Sequence, residues 1–192
     1  MRTGRLEAFS DGVLAILITI MVLELKVPHG ADWHALKHVF PVLCAYVLSF
    51  VFIGIYWNNH HHMLHVCHQV SGGILWANLH LLFWLSLIPF GTAWMGENHS
   101  AALPTAVYGG VLLCSGIAYL ILQNAIIRRQ GLDSKLRSLV GKDAKGKLSA
   151  LLYSIGVGTA VIHTAISQTI YVCVAAMWLV PDPRIEAKLA DD

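Results

Sequence analysis

The sequence predicts an all-α integral membrane protein with six transmembrane helices per subunit. Its 192 residues are 56% hydrophobic and only 12% charged, and the mean hydropathy is +0.62. Soluble domains carry roughly a quarter charged residues, so the composition favours a membrane protein. Uncharged runs of about 20 residues recur along the chain, and each is long enough to cross about 30 Å of hydrocarbon as a helix.

Charged residues, Pro, Gly or His close most of these runs and so mark the predicted spans. The first four spans are residues 6–27, 39–58, 70–95 and 101–127. The last uncharged stretch, residues 148–181, would be about 51 Å long as one helix, too long for one untilted crossing. We therefore predict a tight hairpin near His163 between two short spans, 147–162 and 165–181. One tilted helix, giving five spans, is the alternative.

The distribution of basic residues predicts the orientation of this single domain, residues 1–192. With the amino terminus inside, cytosolic segments hold all 13 Lys and Arg residues except Lys26 and Lys37. Most lie in a predicted cytosolic basic loop, 128–146, and the positive-inside rule then places both termini in the cytoplasm. We predict a multi-pass protein of the cell (inner) membrane. A net charge of +2, gathered in one loop, argues against nucleic acid as a partner.

The first span is the most informative part of the chain. Arg5, Ser10 and Asp11 stand just before a run without charge from Gly12 to Leu23. An aspartate costs up to ~3 kcal/mol at the bilayer centre unless a partner holds it. The sequence therefore predicts a polar partner for Asp11.

A branched apolar stripe follows these polar residues. Ile16, Ile20 and Leu23 are spaced at i, i+4 and i+7, with Thr19 beside them. Such a stripe usually faces lipid or packs in a core, so its periodicity alone assigns no function.

Histidines after the second span suggest a different class of protein. They are His60, His61, His62, His65 and His68. On one helix, His61, His65 and His68 would share a face, a spacing that can bind zinc or iron. However, no carboxylate lies between Asp32 and Glu97 and no HExxH pattern occurs, so a catalytic metal would lack its usual general base. A His-rich membrane metalloenzyme is one alternative. A secondary transporter is another, although we find no midspan charge pair and no inverted repeat.

The opening motif resembles a known family. Arg5-x-x-x-Phe9-Ser10-Asp11, followed by an Ile- and Leu-rich span, is similar to the start of the first helix in the transmembrane protein 175 family of potassium channels, bacterial branch. The resemblance continues through the third span and rests on hydropathy thereafter. The further matching residues are Ser49-Phe50, Tyr56-Trp57, His60-His61, Asn78 and Pro89-Phe90.

The resemblance implies a homotetramer in which the first helix of each subunit lines a central cation pore. The family's hydrophobic constriction would fall on Ile16, on Ile20 or Thr19 one turn later, and on Leu23. The chain has no Thr-Val-Gly-Tyr-Gly filter, so selection by backbone carbonyls is not expected. We expect a modest preference for potassium as the permeant ion. We expect no enzyme activity, cofactor or metal site.

By the same resemblance, polar residues at the cytosolic end of the first helix would hold the subunit together through hydrogen bonds to spans two and three. This structural network consists of Arg5, Phe9, Ser10, Asp11, Trp57, His61 and Asn78. A local ion pair between Arg5 and Asp11 within one subunit is the alternative, although a separation of six residues does not place them on one helix face.

Overall fold

The computed structural model describes residues 3–131, 135–141 and 143–179, and its regular structure is helical throughout these ranges. The described helices are α1 (Thr3–Leu23), α2 (Trp33–His65), α3 (Gly72–Ser86), α4 (Ile88–Glu97), α5 (Ala102–Gln130), α6 (Lys135–Val140), α7 (Ala144–Thr159) and α8 (Thr164–Leu179). Four stretches are long and apolar enough to cross a membrane: 3–23, 33–65, 72–97 and 102–130. The predicted all-α membrane class is confirmed.

Local sequence signals explain where these helices begin and break. The Asp32 carboxylate caps α2 by accepting a hydrogen bond from the Ala35 amide at 2.9 Å. Pro89 lies at the start of α4, and the helix is interrupted at Leu87 just before it. Because proline lacks an amide donor and crowds the preceding turn, α3 and α4 are two parts of one apolar stretch, 72–97.

The chain folds back on itself between α7 and α8. Both helices have 16 residues, so each is about 24 Å long. Near the turn, the hydroxyl oxygens of Thr159 and Ser167 lie 3.0 Å apart. Near the other end of the hairpin, the Trp178 indole donates to the Ser149 hydroxyl at 2.8 Å. The structure therefore has two antiparallel helices here, in place of the single tilted helix that was the alternative.

Contacts between helix ends and loops define the two ends of the bundle. At one end, the Thr3 hydroxyl and the Gln130 amide donate to the carbonyls of Cys67 and Val66, at 2.8 and 2.7 Å. We call this the basic end, because most of the described Lys and Arg residues lie there. Helix α5 ends at it and α7 begins at it. At the opposite end, the Lys26 ammonium binds Glu97 at 2.7 Å.

Tyr171, in α8, packs against both α5 and α7. It is fully buried, and its hydroxyl donates to the Thr105 carbonyl at 3.2 Å. Its ring lies directly against Gly109 in α5 and Gly156 in α7, where an added Cβ would overlap the ring or its hydroxyl. Glycine at these two positions allows the three helices to approach closely.

This close approach predicts a large difference between two adjacent glycines. We expect Gly109→Ala to lower stability by about 1–3 kcal/mol, because the buried and rigid Tyr171 side chain must move. Gly110→Ala is the matched control, since a Cβ there meets no atom within 4 Å. Thermal unfolding of both variants in detergent measures the difference. Equal melting temperatures would show that Tyr171 does not define this contact.

Candidate pore site

Helix α1 buries one face against its own subunit. The buried residues recur every three or four positions, as one side of an α-helix requires. They are Leu6, Ser10, Leu14, Leu17 and Met21. This face packs against α2, α3 and α4, so the other side of α1 has a fixed direction relative to the bundle.

The other side of α1 carries the predicted constriction residues. The exposed fraction is 56% for Ile16, 43% for Ile20 and 78% for Leu23. Thr19 is also exposed, and its hydroxyl bonds to backbone carbonyls in the preceding turn, at 3.0 and 3.1 Å. Gly12 lies on the same side, and a Cβ there would meet no other atom within 4 Å. One chain therefore leaves an apolar face of α1 uncovered.

Three buried polar side chains join α1 to α2 and α3 near the basic end. Ser10, His60 and Asn78 are each at most 1% exposed. The Asn78 amide nitrogen donates to the Ser10 hydroxyl at 3.0 Å, and its oxygen lies 2.7 Å from Nε2 of His60. The Ser10 hydroxyl in turn donates to the Leu6 carbonyl at 2.9 Å. Ser10 and Asn78 thus replace hydrogen bonds that they lose on burial, whereas Nδ1 of His60 is buried without a hydrogen-bond partner among the described residues.

Asp11 belongs to a second, more exposed set of contacts. The Trp57 indole donates to its carboxylate at 3.1 Å. Arg5 is exposed, and among the described residues it forms no hydrogen bond or ion pair. His61 is held by Glu7, with 2.8 Å between Nδ1 and the carboxylate oxygen. Within one chain, the structure therefore brings Asp11 to Trp57 but does not bring it to Arg5 or His61.

The remaining members of the predicted network are not all in contact with one another. Asn78 and Ser10 meet each other in the buried set, whereas the Phe9 ring is 53% exposed. Glu7 and His60 take part in these contacts although they were not predicted. His60 could have been found from its spacing, because it shares the buried face of α2 with Ile53 and Leu64.

The interpretation of three histidines on one helix face is wrong. Helix α2 ends at His65, and Val66 is its carboxyl-terminal cap, so His68 lies beyond the helix. Beyond the helix, the Val66 and Cys67 carbonyls accept hydrogen bonds from Gln130 and Thr3. In the described ranges, no group of three or more His, Cys, Asp or Glu side chains is placed to hold a metal ion.

A hydroxyl cluster connects α2, α4 and α5 in the interior. The Thr92 hydroxyl donates to Ser49 at 2.6 Å, and Ser49 lies 2.8 Å from the Tyr108 hydroxyl. All three side chains are buried. The cluster joins α2 and α4, which pack against α1, to α5, and so helps to fix the surface on which α1 lies.

A bundle of apolar, membrane-length helices that leave large apolar side chains exposed is typical of an integral membrane protein. The sequence model of the family described as endosomal/lysosomal potassium channel TMEM175 matches residues 5–89. A potassium channel of Chryseobacterium sp. (strain P1-3) is 52% identical over 192 residues, covering 100% of both chains. A potassium channel of Streptomyces collinus (strain DSM 40733 / Tue 365) is 32% identical over 199 residues, covering 96% of this chain and 97% of that one.

A solved structure resembles the whole fold as well. It is the crystal structure of a lysosomal potassium-selective channel TMEM175 homolog from Chamaesiphon minutus, with a TM-score of 0.79 and 28% sequence identity. The match covers 92% of this chain and 96% of that one. The chain belongs to the TMEM175 family, and the family resemblance of its opening motif is confirmed.

Proposed function

We propose that this chain is the subunit of a potassium-preferring cation channel and that α1 lines its pore. The observation that carries the proposal is the uncovered face of α1, where Ile16, Thr19, Ile20 and Leu23 lie outside the face packed in the subunit. Two relatives that match over nearly the whole chain are named potassium channels, and the similar crystal structure is described as potassium-selective.

A homotetramer gives this face its function. Four copies related by rotation about one axis form a closed ring, in which each α1 presents the same side chains to the centre. The exposed small residues Gly12 and Ala15 support the arrangement, because small residues let membrane helices approach closely. The partners of each chain are then three further copies, the lipid bilayer and the permeating potassium ions.

Selection in such a pore depends on dehydration. A cation that passes rings of Ile16, Ile20 and Leu23 loses water and gains no oxygen ligand in exchange. Potassium gives up its hydration water more readily than sodium, so the apolar ring opposes sodium more strongly. The resulting preference is modest compared with that of a filter built from carbonyl oxygens. Permeation requires no covalent catalysis and no cofactor, so we propose that the chain is not an enzyme.

Six membrane crossings per subunit agree with the two ends of the bundle described above. In this proposal α1, α2, the 72–97 stretch, α5, α7 and α8 each cross once. The basic end then faces the cytoplasm, because Arg128 and Arg129 end α5 there and Lys145 and Lys147 lie in the first turn of α7. The two short helices of the α7–α8 hairpin cross a locally thinned bilayer. The predicted position of the carboxyl terminus concerns residues 180–192, which lie outside the described ranges.

Ion flux from purified protein tests the proposed function. Liposomes loaded with potassium should release it through the wild-type protein when an ionophore removes the opposing voltage, and the rate should rise with the potassium gradient. Sodium-loaded liposomes should release their ion more slowly. Saturable uptake that requires a second solute would indicate a transporter, and no flux of either ion would contradict the channel.

Assembly is expected to depend on Asp11. Arg5 is exposed and has no acceptor among the described residues of its own chain, so we propose that the polar set at the base of α1 is completed between subunits. Asp11→Ala removes the acceptor of the Trp57 indole and leaves donors unpaired at about 1–3 kcal/mol for each buried one. Native mass spectrometry in mild detergent should show fewer tetramers.

The matched control removes a carboxylate at the opposite end. Glu97→Gln breaks only an exposed ion pair with Lys26 and should leave the tetramer intact. A normal tetramer and normal flux for Asp11→Ala would instead place Asp11 in an exposed vestibule without a role in assembly.

A further inference from the structure

We propose that His34 and His38 form a binding site for a transition-metal dication of the Zn²⁺, Ni²⁺ or Cu²⁺ class. Both residues lie in the first two turns of α2, at the end of the bundle opposite the basic end. Their ring centroids are 4.8 Å apart, and the ring planes meet at 74°. The site is separate from the uncovered face of α1 and does not depend on the proposed channel function.

The nitrogens of this pair are available for coordination. Both side chains are exposed, and among the described residues neither imidazole forms a hydrogen bond or an ion pair. The described helices hold one other histidine pair at this spacing, His61 and His65. There the rings are 6.2 Å apart, compared with 4.8 Å for His34 and His38, and the contact of His61 Nδ1 with Glu7 at 2.8 Å restricts rotation of the His61 ring. The pair at the start of α2 is therefore the better ligand set.

The spacing fits the chemistry of bidentate metal binding. Side chains at i and i+4 lie one above the other on the same helix face. Two histidines at this spacing supply half of the protein ligands in many zinc sites, with metal to nitrogen distances of about 2.0–2.1 Å. Exposed rings can rotate to this geometry without breaking another contact, and water completes the coordination. Imidazole ligands favour zinc, nickel and copper, whereas calcium and magnesium prefer oxygen ligands.

The charge around the pair permits a bound cation. A helix start normally repels cations, because the backbone amides give it a partial positive charge. Here the Asp32 carboxylate caps α2 and offsets that charge. A metal held by His34 and His38 would clamp the first two turns of α2, directly after the segment that leads from the end of α1.

Calorimetric titration of purified full-length protein with NiCl₂ and ZnCl₂ tests the site, with any polyhistidine tag removed. The wild type should bind one ion per chain. His34→Ala and His38→Ala should each weaken binding by about tenfold or more, while His61→Ala should bind as the wild type does. His34→Ala and His38→Ala should keep their melting temperature without metal, because both replaced rings are exposed.

Hydrogen exchange locates the bound ion independently. Nickel should slow amide exchange in residues 33–40 of the wild type, and this protection should be lost in His34→Ala. Unchanged affinity in a His34→Ala, His38→Ala double variant would overturn the proposal. A loss of affinity seen only in His61→Ala would assign the ion to the other histidine pair and would also overturn it.

Discussion

Ile16→Asn is expected to let sodium pass almost as well as potassium. In the proposed tetramer, Ile16 from four subunits forms an apolar ring, and its side chain is 56% exposed in the single chain. An asparagine amide in the ring offers oxygen to a partly dehydrated ion, so the cost of losing water falls most for sodium, which holds its water more tightly. The permeability ratio, measured from currents in planar bilayers, should move towards unity.

The barrier at the other end of the stripe is expected to respond as well. Leu23 is 78% exposed, and Leu23→Ser should raise the basal potassium flux by replacing hydrocarbon with a hydroxyl. Val22→Ala is the matched control, because Val22 is the next residue on the helix and points about 100° away from Leu23. It should change flux much less. If Ile16→Asn and Leu23→Ser both leave the potassium and sodium currents unchanged, α1 does not line the pore.

Asn78→Leu is expected to destabilise the subunit more than any surface change. The substitution removes the hydrogen bond of the buried His60 ring and one of the two hydrogen bonds of the buried Ser10 hydroxyl, which keeps its bond to the Leu6 carbonyl. Each buried polar group left without a partner costs about 1–3 kcal/mol. Thermal unfolding in detergent should show a clear loss of stability. Asn98→Leu is the control, since among the described residues the Asn98 side-chain amide bonds only to the Trp94 carbonyl, at the exposed end of α4.

A double-mutant cycle separates the hydrogen bond from simple loss of packing. In a Ser10→Ala background, Asn78→Leu should cost less than in the wild type, because the hydrogen bond between Asn78 and Ser10 is already absent. Strictly additive effects of the two substitutions would show that Ser10 and Asn78 are not energetically coupled.

Hydropathy predicted where the helices lie, but not where they end. The second span was predicted over 39–58, whereas α2 covers Trp33–His65. Backbone hydrogen bonding continues past the apolar segment in both directions, and Asp32 and Val66, which cap the helix, set its limits. The interruption at Leu87 was also missed, although Pro89 is visible in the sequence, because hydropathy carries no information on backbone donors.

Part of the candidate pore site could be predicted from the sequence. The spacing of Ile16, Ile20 and Leu23 placed them on one side of a helix, and they lie on the side that the subunit leaves uncovered. Periodicity could not show which face of α1 packs inward, because both faces are apolar; the buried contact between Ser10 and Asn78 fixes that direction. Such a contact joins residues far apart in the chain, so no local pattern reports it.

The reversal potential under bi-ionic conditions tests the central claim most directly. Purified wild-type protein in a planar bilayer, with potassium on one side and sodium on the other, should give a current whose reversal potential favours potassium. The same measurement on Ile16→Asn should give a value close to zero. A wild-type reversal potential at zero, or a preference for potassium that Ile16→Asn leaves unchanged, would contradict selection by an apolar ring on α1.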